Sequence, residues 1–558
     1  MPTTAEARAP AFRAPEGIYT CVDWVNPLLH RNANQNGPSP EATEGISNEA
    51  SIHARILPSG EVPRLSGMPL QGLSSQGING AASQLTSSLS PILISQGVDC
   101  DTMAPSTNVY SGTGMLSQGL SSAQRVTRPK SSLRTVTGTF ITRVNQSQEL
   151  SKALAQATEP THFMLLHSSH SLFWYISQPT KLKEPLVRIS FQATPLCHDV
   201  NAWTRRPDRL DIAIGFLSGD IVWLDPFLFK FTRFNRDGCV TKSPIRQIRW
   251  VPGHEYLLLT AHDDGCVYVW DLEREDGNEP KCPPDPMEWR PTEQMVATPP
   301  ISRQEQQTSS GSTWRLNRQR YTSSGVNPIA HWRVARDRLT DMAFCPTAQL
   351  LAVTSADGCL RLIDMDREVL VRSFASYFGG FTSVCWSPDG RFLLTGGQDD
   401  LITIWAPHDA HVVAHAQGHQ SFVTGLAFDP WRSNMDTHTY RFASVGEDGR
   451  LCLWDFSASA LHRPRGARSA SRTRHDTSRK GLHRLSLSHA FQKPTNQVGV
   501  HVPMLPRAEV FILHPTVSTR IPGSVLSDVR ASPQYLRVVH VDGEMDIYQC
   551  NSTRPYAM

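Results

Sequence analysis

The chain has 558 residues, of which 39% are hydrophobic and 8% aromatic, so it is long enough to bury a sizeable core. Its formal net charge of +3 at pH 7 argues against a strong field for nucleic acids or membrane surfaces. No apolar run reaches the roughly 18 residues of a membrane span, and the eleven cysteines lack Cys-x-x-Cys spacing, which disfavours zinc sites and disulfide frameworks.

The first 130 residues are rich in Ser, Gly, Gln, Asn and Pro, and the pentapeptide Gln-Gly-Leu-Ser-Ser occurs at 71–75 and again at 118–122. Such a composition buries too little apolar surface to offset the entropy of the chain. We therefore predict that residues 1–130 are disordered. Two further polar stretches, 273–330 and 457–501, are predicted to be disordered insertions.

Between the insertions, short alternating apolar runs are separated by Asp-Gly and Pro-Asp-Gly turns, a pattern that predicts β-hairpins. With the insertions removed, the runs recur about every 40–45 residues, which is the length of a four-stranded WD40 blade. Each run closes on a bulky residue that Asp follows in four of five cases. These closing pairs are Leu224-Asp225, Trp270-Asp271, Ile363-Asp364, Trp405-Ala406 and Trp454-Asp455.

An aspartate also stands six residues before four of these closing positions and before a fifth bulky residue, Tyr548, in the last unit. These residues are Asp264 before Trp270, Asp357 before Ile363, Asp399 before Trp405, Asp448 before Trp454 and Asp542 before Tyr548. In a WD40 blade this aspartate lies in the turn between the second and third strands, where it anchors a network of His, Ser or Thr and the Trp indole. One unit has all four members: His419, Ser444, Asp448 and Trp454. We assign these aspartates a structural role, because one per blade disperses them around a ring.

These observations predict an all-β fold, a seven-bladed WD40 β-propeller with a disordered N-terminal region and two long disordered insertions. Residues 131–272 are expected to form blades 1–3, 331–456 blades 4–6, and 502–549 the last blade, which closes the ring. The individual blades are placed at 136–177, 186–228, 243–272, 331–369, 378–412, 418–456 and 502–549. Because a propeller closes by pairing strands from both chain ends, we expect Val136–Val144 to be the closing strand.

No motif for catalysis is present: the sequence has no Gly-x-x-x-x-Gly-Lys-Ser/Thr, His-Glu-x-x-His or Gly-x-Ser-x-Gly. The pair His198-Asp199 is interpreted as a loop pair with local hydrogen bonds. His167 and His170 lack further candidate ligands nearby in the sequence. We therefore expect no catalytic residue, no metal and no cofactor, and a protein that is not an enzyme.

The second insertion is basic: from Arg463 to Lys493 it has nine Lys and Arg residues against one acidic residue, Asp476. The stretch 463–484 is open to three interpretations: a solvated linker, a segment for nuclear import or phosphorylation control, or a nucleic-acid contact. It lacks the interleaved aromatics of single-strand binding. We favour the linker and expect neither nucleic acid nor membrane as a partner.

Two loops place large aromatics where a propeller does not need them. Tyr377-Phe378-Gly379-Gly380 precedes the first strand of the fifth blade, and a second loop with His419 and Phe422 precedes that of the sixth. Both loops emerge on the same face of the ring. Outward-pointing rings would form an apolar patch of the kind that dominates interface energetics, whereas rings packed under their own loops would be core. Position alone does not decide between the two.

The sequence resembles the fungal CreC-type WD-repeat proteins of carbon catabolite repression and their animal relatives of the dystrophia-myotonica WD-repeat type. The resemblance covers most of 130–549. The stretches that carry it are Ala14–Tyr19, Ile245–Trp250, His262–Gly265, Ser376–Gly390, Thr395–Trp405, Gly418–Val423, Tyr440–Gly446 and Leu451–Asp455.

The resemblance implies a scaffold that binds and stimulates a ubiquitin-specific protease, a CreB-type deubiquitinase, often together with a second WD40 protein. It also implies contact through the two aromatic loops, which makes Tyr377, Phe378, Gly379, His419 and Phe422 the expected partner-binding residues. Phe422 occupies a position at which the animal relatives are expected to have a residue with a larger indole ring. The alternative function is a substrate-recruiting WD40 subunit of a ubiquitin ligase or other regulatory complex. Either function is expected in the cytoplasm, the nucleus or both.

Overall fold

The computed structural model describes residues 11–25, 65–70, 127–133, 140–148, 150, 161–176, 185–206, 209–277, 289–298, 325–457 and 499–552. Most of the stretches predicted to be disordered lie outside these residues. Among the described residues the long elements are all β-strands, with 3-10 turns at Arg236–Gly238 and Arg507–Glu509. No helix in this described part is long and apolar enough to cross a membrane.

Seven sheets are arranged in a ring, and the first strands of neighbouring blades pack against one another around the axis. The predicted all-β, seven-bladed propeller is thereby confirmed. Blade 1 comprises Leu65–Leu70, Thr161–Ser168, Ser171–Ile176, Val187–Phe191 and Ile141–Gln146; blade 2 comprises Pro195–Val200, Ile212–Phe216, Ile221–Asp225, Lys230–Phe234 and Ser131–Ser132. Blade 3 comprises Ile245–Trp250, Leu257–His262, Cys266–Asp271, Ala330–Arg333 and Val296–Thr298; blade 4 comprises Leu339–Phe344, Leu350–Ser355, Cys359–Asp364, Val369–Ala375 and Val500–Val502.

The remaining blades follow the same order from axis to rim. Blade 5 comprises Phe381–Trp386, Leu393–Gly397, Leu401–Ala406, His411–Gln417 and Phe511–Leu513; blade 6 comprises Val423–Asn434, Thr439–Gly446, Arg450–Ser457 and Val517–Arg520. Blade 7 comprises Leu526–Ala531, Tyr535–His540, Met545–Ser552, Gly17–Val25 and Phe12–Ala14. A small parallel pair, Glu275–Asp276 with Val326–Asn327, lies beside blade 3.

Sequence pattern and position in the blade agree. The second and third strands of blade 3, Leu257–His262 and Cys266–Asp271, are buried at every residue, because neighbouring blades cover both faces. The fourth strand of blade 2, Lys230–Phe234, is largely half-buried and carries polar residues. The tight turn between second and third strands needs glycine: Gly265 has φ +79°, and a Cβ there would lie 2.2 Å from the Ala335 carbonyl oxygen.

The chain between 499 and 520 is distributed over three blades. Val500–Val502 pairs parallel with blade 4, Phe511–Leu513 pairs parallel with blade 5, and Val517–Arg520 is the fourth strand of blade 6. The last blade therefore begins at Leu526 instead of at 502. Similarly, the fourth strand of blade 3, Ala330–Arg333, follows the first insertion. Both insertions thus interrupt a blade before its outer strand.

The closing strand is Gly17–Val25, which pairs antiparallel with Met545–Ser552. The expectation that Val136–Val144 closes the ring is wrong: Ile141–Gln146 pairs with Val187–Phe191 at the edge of blade 1. The expectation of disorder over 1–130 is also wrong for this strand. The Ser- and Gly-rich composition of the whole segment masks a short alternating run, and a strand that is stable only against the far chain end has no local signature.

Candidate protein-recognition face

Blade 6 contains a continuous network of side-chain hydrogen bonds across its interior. The Trp454 indole N–H donates to the Ser444 hydroxyl at 2.8 Å, and His419 Nε2 lies 2.7 Å from the same hydroxyl. His419 Nδ1 lies 3.1 Å from Asp448 Oδ1, and the Gln420 amide donates to Asp448 Oδ2 at 2.9 Å. This network connects the loop before the first strand to the turn between the second and third strands.

Asp448 and Cys452 together favour the protonated form of this histidine. Burial is the largest single effect and would lower the pKa of His419, but the hydrogen bond to Asp448, the contact with Cys452 and the charge of Asp448 together raise the pKa to about 9. His419 is 7% exposed. It therefore belongs to the interior of the blade, and the loop that it anchors forms the surface.

We expect the stability of the propeller to fall with rising pH through this site. Because the folded pKa of His419 lies above the unfolded value of about 6.5, its contribution is complete below about pH 6.5 and is lost as pH rises through about 9. The free energy of unfolding should drop by about 2 kcal/mol between about pH 7 and pH 9.5 relative to His419→Gln. Urea denaturation of the wild type and the His419→Gln variant across this pH range measures the difference in unfolding free energy. If the two proteins show parallel dependences of stability on pH, the expectation is contradicted.

The other predicted network residues form modified versions of this hydrogen-bond network in their own blades. In blade 3 the Trp270 indole donates to Thr260 at 2.9 Å, with His262 Nε2 2.8 Å from that hydroxyl, while Asp264 accepts the Cys266 amide. In blade 4, where Ile363 replaces Trp, Arg361 donates to Asp357 at 2.5 Å. In blade 7 Asp542 accepts the Glu544 amide, and His540 lies 3.1 Å from Asp546.

Sequence reasoning missed the equivalent residues of blade 2. There the Trp223 indole donates to Asp211 at 2.9 Å, and Thr204 and Arg209 donate to the other carboxylate oxygen of Asp211. Trp223 stands one residue before the expected closing position, Leu224, which hid it from a search at constant spacing. The turn after the second strand is held by Ser218 donating to Asp220 at 2.6 Å.

Blade 5 lacks the histidine of this network. The first strands of blades 5 and 6 begin their pairing at Phe381 and Val423, so the residue four positions earlier is Tyr377 in one and His419 in the other. The Trp405 indole still donates to Thr395 at 2.9 Å. Asp399 Oδ1 accepts a hydrogen bond from the Leu401 amide at 3.2 Å. Its buried Oδ2 has no hydrogen-bond partner among the residues that the structure describes.

The loop of residues 376–380, which we term the first loop, presents its aromatics outward. Phe378 is 72% exposed and Tyr377 is 45% exposed. The loop is nevertheless held: Ser376 donates to the Gly379 carbonyl at 2.6 Å, and the Gly380 amide donates to Gln398 Oε1 at 3.0 Å. Gly379 has φ +67°, a conformation in which a side chain is strained. A large exposed ring on a fixed backbone is typical of an interface anchor.

The loop of residues 418–422, the second loop, is more enclosed. Phe422 is half-buried, and its carbonyl accepts the Glu447 amide at 2.9 Å. By the same pairing comparison Phe422 is equivalent to Gly380, and Phe378 is equivalent to Gln420. The two phenylalanines therefore occupy different positions in their loops, and only Phe378 projects freely.

One residue near the first loop comes from a distant part of the chain. The Arg507 guanidinium lies over the half-exposed Tyr377 ring, 4.6 Å from its centroid, in cation–π geometry. Arg507 belongs to the segment that crosses from blade 4 to blade 5 after the second insertion. No local sequence signal connects it with Tyr377.

The residues considered for chemistry do not assemble into a site. His198 and Asp199 lie on the strand Pro195–Val200 instead of in a loop, with Asp199 accepting the Trp250 amide at 2.9 Å. His167 and His198 are buried with their Nδ1 atoms 2.8 Å apart. In the part of the chain that the structure describes, no group of three or more His, Cys, Asp or Glu residues could hold a metal.

Comparison with known proteins agrees with this architecture. The WD domain, G-beta repeat family matches residues 235–271 and 411–455, and the Anaphase-promoting complex subunit 4 WD40 domain family matches 342–430. A curated relative, the UBP9-binding protein bun62 of Schizosaccharomyces pombe, is 33% identical over 331 residues. That match covers 59% of this chain and 58% of the relative.

Two solved structures are also similar at 10% identity. A chain of the mitotic checkpoint complex gives a TM-score of 0.43 and covers 78% of this chain and 99% of its own length. The WD40 β-propeller domain of Doa1 gives 0.40, with coverages of 69% and 89%. Likenesses of this size carry no information about function. From its repeats and its ring of blades, the chain is a WD40-repeat protein.

Proposed function

We propose that this chain is a non-catalytic scaffold that binds a ubiquitin-specific protease and stimulates or stabilises it. The observation that carries the proposal is the exposure of Phe378, a large ring at 72% exposure on a loop fixed by hydrogen bonds. The class of partner comes from the relative described as a UBP9-binding protein. Together they favour protease docking on the face formed by the first and second loops.

The finer parts of the proposal come from the resemblance to CreC-type proteins. We propose that the protease is of the CreB type, that a second WD40 protein joins the complex, and that the complex acts in carbon catabolite repression. We place it in the cytoplasm, the nucleus or both. A scaffold acts here through shape alone: it holds the protease in a productive conformation, and binding energy shifts the population of that conformation.

The alternative, a substrate-recruiting subunit of a ubiquitin ligase or other regulatory complex, has one observation in its favour. Residues 342–430, which span blades 4 and 5 and part of the first strand of blade 6, match the family of the anaphase-promoting complex subunit 4 WD40 domain. The two functions differ in the enzyme that accompanies the chain, so composition of the purified complex separates them.

The test is reconstitution from purified components. The full chain and the UBP9-type protease of the same organism are mixed and passed over a size-exclusion column with light scattering. We expect a stoichiometric complex that survives dilution to about micromolar concentration. Separate elution of the two proteins would contradict the proposal, and isolation of the chain from cells with ligase subunits in place of a protease would favour the alternative.

A further inference from the structure

Two acidic turns lie beside the aromatic loops. The turn at 398–400 carries Asp399 and Asp400 in blade 5, and the turn at 447–449 carries Glu447 and Asp448 in blade 6. Asp448 is neutralised by His419, as described above. Among the described residues, no ion pair includes Asp399, Asp400 or Glu447. Three carboxyl groups are therefore clustered at this face without a directly paired cation.

Asp400 is close enough to influence both of the other carboxyl groups. Burial and then the nearby Asp400 charge raise the pKa of Glu447, although the Ser421 hydroxyl, which donates at 3.3 Å, opposes this. Burial is the largest effect and, with a smaller contribution from Asp400, raises the pKa of Asp399 to about 6, although the Leu401 amide and the nearby Arg507 charge oppose this. Asp400 thus interacts with the acidic residue on each side, and the turns of blades 5 and 6 form one negative strip.

A second feature of the strip is independent of its charge. Asp399 is only 9% exposed, and its Oδ2 accepts no hydrogen bond among the residues that the structure describes. Blade 6 satisfies the equivalent aspartate with His419, whereas in blade 5 the corresponding Tyr377 is turned out under Arg507. A buried carboxylate oxygen without a donor is costly, so a positive charge brought to this turn from outside the chain would reduce that cost.

Each turn of the strip is hydrogen-bonded to one of the two aromatic loops. Gln398 exchanges backbone and side-chain hydrogen bonds of 3.0 Å with Gly380, which fixes the blade 5 turn to the first loop. Glu447 donates its amide to the Phe422 carbonyl, which fixes the blade 6 turn to the second loop. The face therefore combines aromatic anchors with negative charge beside them.

We propose that this acidic strip receives a Lys or Arg side chain from the protein that docks on Phe378. The occupant is a segment of the partner protease in which a basic residue lies beside apolar residues, one for the strip and the others for the aromatic rings. The inference rests on the proposed function. Its physical basis is charge complementarity: a cation relieves the repulsion of Asp400 with Asp399 and Glu447 and compensates the buried charge of Asp399.

The variant that tests this carries Asp400→Asn and Glu447→Gln. Asn tolerates the φ of +62° at position 400, and neither side chain is in the core, so folding should be retained. The matched control carries Asp409→Asn and Asp436→Asn, two exposed residues of the same blades in turns on the opposite face. Both double variants change the net charge equally.

The measurement is the dissociation constant for the UBP9-type protease, by biolayer interferometry at about 50 mM and about 300 mM NaCl. We expect the Asp400→Asn, Glu447→Gln variant to bind about five- to tenfold more weakly at low salt and to lose most of its salt dependence. The control variant should stay within about twofold of wild type at both salt concentrations.

Each outcome has a separate meaning. If wild type binds and the acidic-strip variant binds equally well with the same salt dependence, the inference is overturned and the proposed function stands. If the control variant weakens binding as much, the effect belongs to net charge and the inference is also overturned. If wild type shows no binding, the proposed function itself fails. Melting temperatures of all variants separate these results from loss of folding.

Discussion

Replacing Tyr19 with Ala is expected to lower the free energy of unfolding by about 3–5 kcal/mol, because it removes a buried side chain from the strand pair that closes the ring. Tyr19 is 2% exposed and stacks on Phe12 with ring centroids 4.8 Å apart. Its hydroxyl donates to Glu16 Oε1 at 2.7 Å, and that carboxylate also accepts Arg441 at 2.8 Å. The substitution removes a buried ring and breaks a network that joins the N-terminal strands to blade 6.

A matched control lies one residue away. Ile18 is on the same strand but is 42% exposed, so Ile18→Ala should cost about 1 kcal/mol or less. Urea denaturation followed by tryptophan fluorescence compares the two variants with wild type. Equal small effects from both substitutions would show that the N-terminal strand does not close the ring.

Replacing Phe378 with Ala should weaken protease binding by at least about 30-fold without lowering the melting temperature. A central anchor is worth about 2 kcal/mol or more on truncation, and a ring that is 72% exposed contributes little to folding. Phe422→Ala is expected to weaken binding less and to cost some stability, because Phe422 is half-buried.

Two controls bracket the Phe378 result. Phe381, three residues further on, is 2% exposed, so Phe381→Ala should destabilise the fold by about 3–5 kcal/mol. Leu228 in blade 2 is 44% exposed and remote from the two loops, so Leu228→Ala should change neither binding nor stability. Isothermal titration calorimetry gives the affinities. Wild-type affinity for Phe378→Ala would remove the first loop from the interface.

The sequence predicted the architecture because the repeat is local. An aspartate six residues before a bulky strand end reports a tight turn and a following strand, and five such units specify a propeller. For the same reason, the hydrogen-bond network of blade 6 could be predicted from the sequence of that blade alone; it consists of His419, Ser444, Asp448 and Trp454.

The features that escaped prediction depend on contacts between distant segments. Gly17–Val25 is a strand only because Met545–Ser552 lies beside it, and Arg507 reaches Tyr377 only after the chain has crossed two blades. The exposure of Phe378 was undecidable from position, because a loop aromatic can cover its own loop or project from it. The orphaned oxygen of Asp399 follows from one substitution, Tyr377 for histidine, whose consequence needs side-chain geometry.

Stimulation of the UBP9-type protease can be measured as the rate at which it cleaves a fluorogenic ubiquitin substrate while this chain is titrated in. We expect kcat/KM to rise to a plateau at one equivalent of wild-type chain, with Ile18→Ala behaving identically. With Phe378→Ala, the same plateau should require at least about 30-fold more protein. A rate that stays constant up to saturating wild-type chain would contradict the claim that the propeller stimulates a ubiquitin-specific protease.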